Sequence, residues 1–213
     1  AMQMGVEKPT PADLPSLQLV LNDTTRPKED RESAATSLAA LGQAGFDELI
    51  KAFEHTESAR TAAAAFSQAD PSAVPQLVVS LKHKEPKVRA TTADAIGHLG
   101  PTAGDAAAEL IRMLKDRDRD VRYHAVRALH ELGHAAQPAI SALTAVILDS
   151  KELEPTRQWA LKTLVVTLPD TREMVVKSLI EANSEEINYG VKQLARQLLL
   201  KVAPSEAKAA GIK

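Results

Sequence analysis

The chain has 213 residues, 44% of them apolar but only 3% aromatic, and sets 26 Lys and Arg against 28 Asp and Glu for a formal net charge of −2. That length suits one large domain or an extended repeat array, and the near-neutral balance excludes bulk attraction to nucleic acid or to an anionic membrane. Cysteine is absent, which excludes disulfides, thiolate catalysis and Cys-based zinc sites while leaving the compartment open.

Taken in chain order, Ala1-Met2-Gln3-Met4-Gly5 looks like an expression scar, and Val6 to Pro15, with Pro9, Pro11 and Pro15, reads as a linker. The natural chain is therefore expected to begin upstream, with a leader or another domain; a leader would mean export, and the cytoplasm is the default without one. Residues 1–11 are expected to be scar and linker, 12–203 a single repeat domain, and 204–213 a flexible tail. No run reaches the ~18–20 apolar residues of a membrane span, so no membrane insertion is expected.

Helical patterns then follow one another. Asp30-Arg31 through Leu41-Gly42 opens the series, and Ala59-Arg60 starts a shorter version. Val88-Arg89 through Leu99-Gly100 lies over Val121-Arg122 through Leu132-Gly133 without a gap. Thr156-Arg157 through Leu168 fits nearly as well, and Ile187-Asn188 starts a degenerate last unit. Arginine thus recurs at 31, 60, 89, 122 and 157, with Asn188 in the sixth place, at intervals of 29, 29, 33, 35 and 31 residues. A fixed recurrence of this length is the signature of a repeat architecture. Apolar residues fall at positions 1, 5, 8, 9 and 12 of each unit, a helical stripe, and Gly42, Gly100 and Gly133 follow as helix stops. Upstream lie second apolar runs, such as Leu77–Leu81, Leu110–Leu114 and Leu143–Leu148, joined to the repeat helices by short polar turns such as Lys115–Asp120. No strand pattern appears.

The frame Leu-Lys-Asp…Val-Arg-x-x-Ala-x-x-Ala-Leu-x-x-Leu-Gly at 114–133 resembles the HEAT family, including the short repeats of bacterial phycobilin lyases and scaffold proteins. The resemblance covers about 12–202. It implies an all-α, right-handed α-solenoid of about six HEAT-like helical pairs, with the second helices lining the concave ligand face. In that family the repeat Arg pairs with an Asp six residues earlier; here only Arg122 with Asp116 keeps the spacing.

One segment suggests chemistry. His130-Glu131-Leu132-Gly133-His134 matches H-E-x-x-H, in which two His one helical turn apart hold zinc and the Glu activates water. The repeat already accounts for Leu132 and Gly133, Gly133 should end the helix before His134, and neither Glu152 nor Glu154 has the spacing of a third ligand. A zinc hydrolase is therefore the alternative reading and not the first. Metal-binding HEAT enzymes that resemble deoxyhypusine hydroxylase need His-Glu pairs at positions three and four. Those positions read Glu32-Ser33, Thr61-Ala62, Ala90-Thr91, Tyr123-His124, Gln158-Trp159 and Tyr189-Gly190, so that di-iron chemistry is excluded. With one Trp and two Tyr, a DNA-glycosylase-like surface is poorly supplied, and the likeness to phycobilin lyases stops at the repeat.

Positions 3, 7, 10 and 11 of each second helix point away from the core. In units three to six they place Asp94, His98, Tyr123, Arg127, His130, Glu131, Gln158, Lys162, Tyr189, Gln193 and Arg196 on the concave face, with Trp159 half-buried beside them. Units one and two supply Glu32, Thr36, Thr61 and Ala65 there. The expected protein is a monomeric, non-catalytic scaffold that binds a protein or peptide through this stripe, without cofactor, metal or nucleic acid.

Overall fold

The structure, a computed structural model, describes residues 8–168, 171–183 and 187–212. Among these residues there is no strand, and the helices form six antiparallel pairs in chain order. Unit one pairs α1 (Leu14–Asn22) with α2 (Lys28–Ala40), unit two α3 (Gln43–Lys51) with α4 (Thr56–Ala65), and unit three α5 (Val74–Ser80) with α6 (Pro86–Leu99). Unit four joins α7 (Ala107–Met113) to α8 (Arg119–Glu131), unit five α9 (Ile140–Leu148) to α10 (Glu154–Val166), and unit six α11 (Arg172–Glu181) to α12 (Tyr189–Val202). A further helix, α13 (Pro204–Ala209), closes the array. No helix among the described residues is long and apolar enough to cross a membrane.

Each second helix buries the stripe that its sequence prescribes. In α8 these are Val121, Ala125, Ala128, Leu129 and Leu132, all essentially without exposure. The ninth position of every unit carries a large apolar side chain, and there Leu38, Phe66, Ile96, Leu129, Leu164 and Leu199 are each 0% exposed. One such residue per unit, stacked on the next, makes a continuous core from subunits that could not fold alone. Second helices pack on second helices more closely than first helices pack on first helices, which puts α2, α4, α6, α8, α10 and α12 on the inside of the curve.

That ninth position corrects the sequence frame in two units. Around Ala62–Ala65 alanines fit either frame, and Arg60 supplies a false match to the repeat Arg. Phe66 decides, because its ring must be buried; unit two therefore starts at Ser58, itself 2% exposed. Arg60 moves to position three, facing the groove, and its expected place as a ladder Arg falls to Ala59. In unit six Asn188 is no counterpart of the Arg. It is the N-cap of α12, its Oδ1 accepting from the N–H groups of Gly190 (2.9 Å) and Val191 (3.4 Å). Val191, Ala195 and Leu199 then form the buried stripe, each at 0% exposure, and Tyr189 becomes the first helical residue, 76% exposed.

The arginine ladder also differs from the expected pairing. Arg122 donates to the backbone carbonyls of Asp116 and Arg117 at 2.9 and 3.3 Å, not to the Asp116 carboxylate. Its charged partner is Glu152, in the turn of the next unit, held through both carboxylate oxygens. Arg89 repeats the arrangement one unit earlier. It donates to the carbonyls of His83 and Lys84 in its own turn and to both oxygens of Asp116 in the next, all at 2.8–2.9 Å. Each such Arg therefore bolts its own turn to the neighbouring one. Arg157, 4% exposed, donates to Ile147 O at 2.7 Å.

The short polar turn 115–120 is therefore a fixed part of this ladder. Burial pushes the Asp116 carboxyl up, but Arg89 and the N–H of Asp118 outweigh it and hold it below the usual carboxylate range. Asp118 caps α8 by accepting from the N–H groups of Asp120 and Val121. At the other end, α8 stops at Glu131, and Gly133 turns the chain at φ +60°, as Gly42 and Gly100 do at +64°. Where a tail is expected after 203, α13 docks instead, with Ala207 at 0% and Ile212 at 9% exposure and Glu206 bonded to Arg172. That bond holds the Glu206 carboxyl down at about 2.

Candidate functional site

A groove runs across the inner faces of α4, α6 and α8. Its floor is small: Ala64, Gly97 and Ala128. Its sides carry Arg60, Asp94, His98, His124, Arg127 and Glu131. The period of the helix explains the division, since positions three, four, seven and eleven of successive units line up side by side across the stacked helices. Small residues between them leave room for an extended chain to approach the helix backbones.

On its α8 side the groove meets a cluster of rings and cations. Asp94 Oδ1 accepts from His124 Nδ1 at 2.7 Å and lies 3.7 Å from the Arg127 guanidinium. Arg127 Cζ sits over the Tyr123 ring, 5.9 Å from its centroid, and over the Trp159 ring at 5.8 Å. Lys162 Nζ stands 4.5 Å from the Trp159 centroid, and the His130 ring meets Trp159 edge-on at 5.2 Å. Arg and Lys over an indole face are attracted by the ring quadrupole. Trp159 is half-buried and packs on the core, as its place beside the stripe implied.

His130 is set apart from its neighbours. Burial pushes its pKa down, Lys162 adds to this, and Glu131 opposes it, so the ring is neutral near pH 7. Its Nδ1 is buried with no hydrogen-bond partner among the described residues. His134 lies beyond the end of α8, on the 3₁₀ turn Gly133–Ala139, exposed and with Nδ1 3.5 Å from Gln137 Nε2. The two His are therefore not one helical turn apart on one face, as zinc ligation by His130 and His134 with Glu131 between them requires. Glu152 is bonded to Arg122 and Glu154 accepts from Gln158 Nε2 at 2.8 Å.

Of the stripe read from the sequence, Asp94, His98, Arg127 and Glu131 come together in the groove; Tyr123 joins them through Arg127, and His130 and Lys162 through Trp159. Gln158 is turned toward Glu154, beside Gly190. The frame shift on α12 alters the rest. Gln193 takes position three, Tyr189 precedes the unit, and Arg196 takes position six, the place that Val126 occupies on α8, so Tyr189 and Arg196 do not extend the stripe. Sequence reasoning missed Arg60, assigned to the ladder, and His124, which was not among the stripe residues. The signal for Arg60 was Phe66; that for His124 was its position-four place beside Tyr123, on the same helix face as Trp159.

The floor offers a direct test of the packing. A Cβ built on Gly97 would meet Ala128 Cα at 3.5 Å and the Glu131 side chain at 3.6 Å, ordinary contacts. Gly97→Ala is therefore expected to stabilise the protein by roughly 0.5–1 kcal/mol, the helix-interior difference between the two residues. Urea unfolding checks this, and a destabilised variant would show that α6 and α8 are closer than described.

Stacked helical pairs with a side-chain-lined inner groove and no sheet define the class: an α-solenoid repeat protein. Residues 74–165, units three to five, match the family model described as HEAT repeats. No curated protein matches the chain significantly. Among solved structures it is similar to a designed armadillo repeat protein in complex with the peptide (KR)4, at TM-score 0.57 and 16% identity over 89% of this chain and 99% of that one. An engineered protein gives TM-score 0.57 and 18% identity over 91% and 99%. The complex of CpcE and CpcF of phycocyanin lyase from Nostoc sp. PCC7120 gives TM-score 0.53 and 21% identity over 71% and 98%. At these identities the likeness is one of fold.

Proposed function

We propose that the chain is a non-catalytic, monomeric scaffold that recognises an extended segment of another protein in the groove across α4, α6 and α8. The observation that carries this reading is the division of labour in the groove. Ala64, Gly97 and Ala128 form a floor low enough for a peptide backbone, and polar side chains from three units stand along it. Rigid rings and an Arg beside that floor are the residues that dominate interface energies. The designed armadillo relative holds a peptide, which supports the use of such stacked helices for extended ligands.

The test is selection of peptides from a random-sequence display library on the intact chain. Selected peptides are expected to bind the wild type and to lose at least about tenfold in affinity with Tyr123→Ala plus Arg127→Ala. The melting temperature of that variant should stay nearly unchanged, because neither side chain belongs to the buried stripe. Peptides that bind both proteins equally would place recognition elsewhere, and a selection that enriches nothing would remove the peptide reading altogether.

A further inference from the structure

The charges beside the groove are unequally satisfied. Arg127 packs over the Tyr123 and Trp159 rings, and a stacked guanidinium keeps its N–H donors in its own plane, directed sideways. Among the described residues those donors make no hydrogen bond. The nearest carboxylate oxygen, Asp94 Oδ1, is 3.7 Å away and already accepts from His124. Lys162 and Arg60 form no ion pair among the described residues either, Lys162 resting on the Trp159 ring and Arg60 standing exposed on the α4 side. Against these three cations the face sets two carboxylates, Asp94, engaged by His124, and Glu131 at the rim.

We infer that the occupant of the groove is an acidic peptide segment, one of whose Asp or Glu carboxylates is taken by the forked donors of Arg127. This rests on the reading of the groove as a peptide site. A planar carboxylate matches the two parallel N–H groups of a guanidinium, and such charge-assisted pairs are about twice as strong as neutral hydrogen bonds. The rings that immobilise Arg127 lower the entropy cost of forming the pair. Lys162 and Arg60, one on each side, favour further carboxylates along the chain, and Glu131 disfavours them.

Fluorescence anisotropy with a labelled oligoglutamate peptide, and an alternating Lys-Arg peptide as control, tests the sign of every contribution. The intact protein is expected to bind oligoglutamate, more weakly as salt rises, and not the Lys-Arg peptide. Arg127→Ala should weaken binding by about tenfold or more, whereas Glu131→Gln should tighten it about twofold. Preference for the basic peptide, indifference to Arg127→Ala, weakening by Glu131→Gln, or no binding of oligoglutamate would each overturn the inference. If display selection yields Arg127-dependent peptides that are not acidic, the acidic specificity fails and the peptide groove stands. If no groove-dependent peptide exists, both fail.

Discussion

Phe66→Ala is expected to cost about 3–5 kcal/mol, the range for deleting a buried ring. The three phenylalanines of the chain meet around it, with the Phe46 and Phe53 centroids 5.8 and 6.1 Å from its own and all three rings within 1% of complete burial. The loss falls on units one and two and on their joint with unit three, because each unit of such an array touches only its neighbours. The single Trp, Trp159, lies in unit five and reports the other half. In urea, far-UV circular dichroism of Phe66→Ala should therefore begin to change at lower denaturant than Trp159 fluorescence. Coincident transitions, or a cost under about 1 kcal/mol, would show that the Phe cluster is not the core of the N-terminal half.

The second large effect concerns the bolt between units four and five. Glu152, 8% exposed, holds Arg122 and also accepts from the N–H of Leu153 at 2.8 Å. Glu152→Ala leaves a half-buried guanidinium without its counter-charge and is expected to destabilise by about 3 kcal/mol. Replacing both partners with apolar residues, Arg122→Met with Glu152→Leu, should recover most of that, since the desolvation of both charges is then removed. A double variant as unstable as the single one would mean that the turn depends on Glu152 for its backbone bond and not for the ion pair.

Much of the fold was legible because the chain repeats its packing instructions. Val121, Ala125, Ala128, Leu129 and Leu132 announce their helix face by spacing alone, and units three to five, where the family model matches, were framed correctly. The frame failed in units two and six for a shared reason: a polar letter was given priority over a large apolar one. Arg60 and Asn188 fit a pattern of charge and amide, but burial of Phe66 and Leu199 fixes the helix rotation. The candidate site was legible only as a stripe. That Asp94 would be engaged by His124, or Arg127 laid over Trp159, depends on distances between neighbouring units, which no spacing within one unit encodes. The ladder shows the same limit, for Asp116 sits six residues before Arg122 yet serves Arg89.

The bolts made by Arg89 and Arg122 are not spread evenly, and this has a mechanical consequence. They stitch unit three to four and four to five, whereas unit two, with Ala59 in the ladder position, is tied to unit three by Lys87, which donates to Thr56 Oγ1 at 2.9 Å, and by Gln76, which donates to Asp47 Oδ1 at 2.6 Å. Units three to five are thus clamped by part-buried Arg–carboxylate pairs, whereas the joint between units two and three is held by more exposed hydrogen bonds. The groove crosses that joint. Its α4 side is therefore held by bonds open to exchange with water, and its α8 side by the clamped units that carry Arg127.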